Sequence, residues 1–94
     1  MLILEWTIPA ISDLKNAGSY IAKKNPQAAQ HMAIRVQEST EYLCDHPNIG
    51  RIGRLAETRE LVISGTPFIV IYWIRNSKIQ ILRLLHHAQR WPNT

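Results

Sequence analysis

A single cysteine, Cys44, stands in the whole chain. One thiol makes no internal disulfide, and it argues against a zinc site built on thiolates. Glycine is scarce, at four residues in 94. Two of the four lie in "HPNIGRIGR" (46–54), which reads as a loop. No Gly-Lys-Ser/Thr ending follows, so this is not a phosphate-cradling P-loop. Any of the five serines, Ser12, Ser19, Ser39, Ser64 and Ser77, could be set beside a histidine on paper, but no nucleophile elbow exists for them. No apolar run reaches the ~18–20 residues of a membrane span. The opening "MLILEWTIP" has no basic n-region, is too short for a signal peptide and already reads as a strand, so the expected location is the cytoplasm. No metal or cofactor is expected.

Acidic residues are few, and they are unevenly placed. Residues 1–50 hold four Lys/Arg against five Asp/Glu, a net −1. Residues 51–94 hold seven Lys/Arg against two Asp/Glu, a net +5. Six of those seven are arginine, whose planar fork binds phosphate and carboxylate bidentately. The basic half therefore points to nucleic acid or to an acidic protein partner.

The length suits one domain over residues 1–94. "LILEW" (2–6) reads as a buried strand. Thr7 is placed to cap a helix that Pro9 starts without losing a hydrogen bond. Over 8–24 the apolar positions Ile8, Ile11, Leu14, Gly18 and Ile21 give an amphipathic period. Asn25-Pro26 ends that helix and starts a second, which His46-Pro47 stops. Its apolar stripe is Ala29, Met32 or Ala33, Val36, Thr40 and Leu43. A joint of two or three residues makes the pair an antiparallel helical hairpin. "ETRELVI" (57–63), "FIVIYWI" (68–74) and "IQILRLLH" (79–86) read as three strands separated by the turns 64–67 and 75–78. The expected fold is α+β: a helical hairpin packed on one face of a small antiparallel sheet, in the order β-α-α-β-β-β.

Strand alternation sorts the faces. Phe68, Val70, Tyr72 and Ile74 share one face of their strand; Ile69, Ile71, Trp73 and Arg75 share the other. Both are apolar, yet two helices cover only one, so the second face is a groove, a dimer surface or a docking site. In the last strand Ile79, Ile81, Arg83 and Leu85 fall on one side and Gln80, Leu82, Leu84 and His86 on the other. Arg83 and His86 thus point apart and serve one site only if a bulge intervenes.

Among chemical candidates, His86 and His87 diverge as neighbours on a strand, so they do not pair on one metal. One of them suits acid–base work or a phosphate contact. Glu57 and Glu60 lie on opposite sides of a strand and form no carboxylate pair. Arg51, Arg54 and Arg59, three arginines within nine residues entering one sheet, mark a binding surface.

These stretches resemble the RelE/ParE superfamily, the toxin half of bacterial type II toxin–antitoxin modules. The resemblance runs from the strand ending at Trp6, through Ala10, Asp13-Leu14, Tyr20-Ile21 and Asn25-Pro26, to "GRIGRLAETREL" and "ILRLLHHAQRWP". It implies a concave sheet face wrapped by an acidic or amphipathic antitoxin, with operator DNA reached only through that antitoxin. ParE-like members poison DNA gyrase, whereas RelE-like members cut mRNA on the ribosome. The RNA cleavers commonly carry an arginine early in the strand before its tyrosine; here that place is Ile69, ahead of Tyr72. Where they tend to have His or Lys followed by Arg at the end of the last strand, this chain has His86 and His87, and Trp91 stands where a tail tyrosine often follows. The ParE-like reading is favoured, with Arg51, Arg54, Arg59, Ile69, Ile71, Trp73, His87, Arg90 and Trp91 as the expected antitoxin- or target-binding residues. The alternative is a RelE-like endoribonuclease, with Arg59, Arg83 and His86 as its catalytic residues.

Overall fold

The computed structural model describes residues 1–87, 89, 91 and 92. Strand β1 (Ile3–Trp6) leads into helix α1 (Ile8–Lys24), helix α2 (Pro26–Leu43) and strands β2 (Arg51–Ile52), β3 (Arg59–Val62), β4 (Phe68–Arg75) and β5 (Lys78–His86). The order expected from the sequence holds. The two-residue β2 is an addition inside the glycine-bearing loop. The five strands form one sheet in the order β1-β5-β4-β3-β2. It is mixed rather than antiparallel, because β1 runs parallel to β5. The three later strands are linked by short turns and reverse at each one, but β1 is separated from β5 along the chain by the helical hairpin and three strands. Its direction is therefore set by packing and not by a local turn.

The hairpin is tighter than expected, with Asn25 alone between the helices. Its N–H closes α1 on the carbonyl of Ile21, and its Oδ1 accepts from the N–H groups of Gln27 and Ala28 to start α2. One residue thus ends one helix and caps the next. Thr7 occupies the cap position of α1 but does not cap it. Its hydroxyl donates instead to the carbonyl of Ile81 at 2.7 Å, tying the helix start to β5.

The core lies between the hairpin and one face of the sheet. Met32, Val36, Thr40 and Leu43 of α2 are buried, as their spacing predicts. In α1 the stripe is shifted. Ala10 is fully buried, and Leu14, Ala17 and Ile21 pack against the core. Ile8 and Ile11 face solvent, Ile8 being 83% exposed. Small alanines, not large isoleucines, let α1 approach the sheet. From the sheet side come Phe68, Val70, Tyr72, Ile79, Ile81 and Leu84. Each fully buried aliphatic side chain contributes about 1.5–3 kcal/mol relative to exposure.

One irregularity decides what β5 presents. Ile71 pairs with Arg83 while Tyr72 pairs with Ile81, so Leu82 is an extra residue. This bulge resets the alternation. Ile79, Ile81, Leu84 and His86 lie toward the helices, opposite β4 residues of the same face. Gln80, Arg83 and Leu85 lie on the other side. Regular alternation put Arg83 with Ile81, and the bulge corrects that. It precedes both Arg83 and His86, so these two remain on opposite faces.

Candidate functional site on the open face

The face of the sheet turned away from the helices carries a cross-strand row, Arg51–Glu60–Ile71–Arg83, read from the register of β2 through β5. Arg51 and Glu60 form an ion pair at 2.9 Å, with the Glu60 side chain largely covered. Beside this row lies a groove of about 340 Å³. Its floor is Ile69, Ile71 and Leu85. Arg51, Arg54 and His87 stand along it, with Trp91 on the C-terminal side. Ile71 and Leu85 are only 4% and 7% exposed although the helices lie on the other face. This groove thus brings together six of the expected binding residues: Arg51, Arg54, Ile69, Ile71, His87 and Trp91. Arg90 lies outside the described residues.

Three further lining residues have no sequence signal of the same kind. Glu60 is recognisable only as the partner of Arg51, and Leu85 joins the groove through the register beyond the bulge. Gln89 lies past the last strand, where its side-chain oxygen accepts from His86 N–H at 2.8 Å. His87 is anchored by its own N–H to the carbonyl of Pro67 at 2.8 Å.

Trp73 lies on the same open face, but in a separate part of it. Its indole N–H donates to Gln80 at 2.6 Å, and Gln80 in turn donates to Glu5 at 2.6 Å. Gln80 and Lys78 together hold the Glu5 carboxyl below its usual pKa. The Arg75 guanidinium stacks 3.6 Å from the Trp73 ring centre and pairs with Glu57. The indole is therefore fixed in orientation. A second depression of about 480 Å³ runs from Trp73 past Leu82, Leu55 and Pro9 to Trp91.

The residues expected of a nuclease lie in three places. Arg59 pairs with Tyr72 and so sits on the helix-facing side. Its guanidinium donates to the carbonyls of Gly50, at 2.7 Å, and Asn48. It holds the 46–50 loop down. Arg83 is gripped by both carboxylate oxygens of Asp13 at 2.6 and 2.9 Å, and Asp13 also accepts from Leu84 N–H at 3.0 Å. That grip raises the Arg83 pKa further. It exists because β1 stops opposite Ile81, leaving the next stretch of the β5 edge to α1. His86 meets the Phe68 ring edge-on at 6.0 Å and stacks on His87 at 4.5 Å. It lines a cavity beside Asp13 and Tyr20 of α1. No helix among the described residues is long and apolar enough to cross a membrane.

The chain is similar to proteins of one kind. The family described as the ParE toxin of the type II toxin–antitoxin system parDE matches residues 4–91. Y4kP of Sinorhizobium fredii, whose name describes it as a toxin, is 37% identical over 95% of this chain and 92% of its own length. Toxin RelE2 of Caulobacter vibrioides is 34% identical over 89% of this chain and 93% of its own. Among solved structures, the chromosomal ParDE system from P. aeruginosa superposes with a TM-score of 0.82 at 25% identity, covering 92% of this chain and 96% of that one. The intact E. coli RelBE complex shares the fold, with a TM-score of 0.61 at 10% identity, covering 96% of this chain and all of that one. With nearly the whole length matched, the chain belongs to the ParE toxin family of type II toxin–antitoxin systems.

Proposed function

We propose that this toxin arrests growth by binding its target, with DNA gyrase as that target, and not by cutting RNA. The names of its relatives fall on both sides of that choice, so the reading rests on the site. The observation that carries it is the separation of Arg59, Arg83 and His86. Phosphodiester cleavage needs a cation on the developing charge and a proton shuttle within about 3 Å of the same scissile group. Here one arginine is spent on loop carbonyls, the other on Asp13, and the histidine leaves β5 toward the opposite face from Arg83. Ile69 lines the groove at the strand position where RNA-cleaving members of the superfamily commonly carry an arginine. What the groove offers is an apolar floor with arginines beside it, which suits a protein surface.

A cognate antitoxin neutralises the toxin by covering the open face. The test is induced expression with translation and DNA damage followed separately. Early DNA-damage signalling and stalled replication, with translation continuing at first, are expected. Early loss of translation, with mRNA cut by the purified protein on ribosomes, would overturn the reading.

A further inference from the structure

Residues 51–94 hold only two acids, Glu57 and Glu60. Glu60 is largely covered and pairs with Arg51. Glu57 is the exposed one, with 69% of its side chain accessible, and it stands in the loop between β2 and β3. That loop is tied at its base. The Gly53 N–H donates to the Thr58 carbonyl at 2.8 Å, and the Thr58 hydroxyl donates to the Leu55 carbonyl at 2.7 Å. The Thr58 N–H closes a turn on that same Leu55 carbonyl at 3.2 Å. Within the turn φ is positive at Glu57, at 68°, and not at Ala56. This combination marks a type II turn, whose third residue is ordinarily glycine. A side chain at such a φ is strained. The turn by itself selects glycine, so what position 57 gains from glutamate lies in the carboxylate.

The carboxylate reaches Arg75 at 2.9 Å, and Arg75 lies over the Trp73 ring, 3.6 Å from its centre. Gln80 fixes the indole from its other end. An arginine beside an aromatic ring is a pair that suits single-stranded nucleic acid, with the guanidinium on a phosphate and the ring under a base. Here both members are occupied. The guanidinium covers a face of the ring and carries a carboxylate of its own. A phosphate approaching Arg75 meets the like charge of Glu57, and a base approaching that face of Trp73 must first displace Arg75. An exposed ion pair adds little to stability, so the strain at Glu57 is not offset by a gain to the fold. We propose that Glu57 is a selectivity residue: it withholds Arg75 and Trp73 from single-stranded RNA, so that the basic open face takes a protein and not a polyanion. This rests on the protein-binding reading above and names the residue that enforces it.

The probe is a labelled single-stranded RNA of about 20 nucleotides, long enough to cover one site. Its binding to the purified toxin is read by fluorescence anisotropy at low and high salt. Glu57→Gln removes the charge and keeps the side-chain length. It should bind the RNA about three- to tenfold tighter than wild type at low salt, and the gain should shrink as salt rises. The slope of log K against log salt should steepen by about 0.7, the worth of one phosphate contact on a single strand. Glu57→Gly, which suits the turn, should show the same gain without a lower urea midpoint. Glu41→Gln is the charge control, since it changes net charge equally from an exposed position on α2. It should stay within about twofold of wild type. Adding Arg75→Ala to Glu57→Gln should remove the gain. Equal gains at positions 41 and 57 reduce the effect to net charge and overturn the proposal. Unchanged affinity in Glu57→Gln, or a gain that survives Arg75→Ala, overturns it too. A lower urea midpoint in Glu57→Gly makes the glutamate a structural residue and has the same consequence. Cleavage of mRNA on ribosomes by the wild type is a separate result, and it sinks the protein-binding reading instead.

Discussion

The hydroxyl of Tyr72 accepts the backbone N–H of Gly50 at 3.0 Å and donates to the carbonyl of Pro47 at 2.7 Å. Tyr72 is completely buried in β4, so a core side chain fixes the loop that leads into β2. Burial pushes its phenol pKa up, keeping it a neutral donor. The closeness also explains the residue at position 50. A Cβ there would stand 2.6 Å from the Tyr72 oxygen and 2.7 Å from a ring carbon. Arg59 clasps the same loop from the neighbouring strand.

Two substitutions should therefore destabilise the fold through one contact. Tyr72→Phe leaves the Gly50 N–H and the Pro47 carbonyl without their partner, a cost of about 1–3 kcal/mol. Gly50→Ala drives a methyl into a ring that has no room to yield, costing about 1–3 kcal/mol. Combined, the two should cost less than their sum, because removing the hydroxyl relieves part of the clash. Urea denaturation of the three variants measures this. Full additivity would mean that the loop moves independently of Tyr72.

Much of the fold is legible in the sequence because its strongest signals are local. Asn25-Pro26 is punctuation, and β4 alternates cleanly between Phe68/Val70/Tyr72 and Ile69/Ile71/Trp73. The α1 stripe is less legible. Ile8 and Ile11 are greasy enough to suggest the core, but the approach of α1 to the sheet selects Ala10 and Ala17. No pattern in "IQILRLLH" announces the bulge at Leu82. It depends on where β1 ends and on Thr7 reaching the Ile81 carbonyl, both set by distant chain. The groove was readable as a set of arginines and a spare apolar face. The outward or inward turn of each arginine was not. Arg51 and Arg59 are both strand arginines of the basic half, and only the β2–β3 register separates them.

The clasp at the end of β1 gives a second prediction. Asp13→Ala strands the Arg83 guanidinium and the Leu84 N–H together. A cost of about 1–3 kcal/mol is expected, at the lower end because the Arg83 side chain is 32% exposed. Asp13→Asn keeps an oxygen able to accept from Leu84 and should cost less than the alanine. Thermal melts rank the two. Equal losses would make the charge on Asp13 the whole effect and leave the Leu84 hydrogen bond without weight.

His86 offers the cleanest test of mechanism, because substitutions at the two arginines disturb structure first. Arg59→Ala releases the 46–50 loop, and Arg83→Ala leaves the Asp13 carboxylate unmatched, so either lowers toxicity without reporting on chemistry. His86 lies at the strand end, half-exposed, with its ring edge-on to Phe68. Losing that contact is worth about 0.5–1.5 kcal/mol, small enough to leave a folded protein. A toxin that acts by binding requires no proton transfer, so His86→Ala should arrest growth about as well as wild type at matched soluble levels. A ribonuclease using His86 as its general acid or base should lose about 10²–10⁴ in rate on the same change. Circular dichroism verifies the fold, growth curves read toxicity, and purified protein added to translating ribosomes reads cleavage. Retained growth arrest with no cleavage by either protein is the expected result. Cleavage by the wild type that His86→Ala abolishes would instead place the chain among the RNA-cutting toxins, despite the isoleucine at position 69.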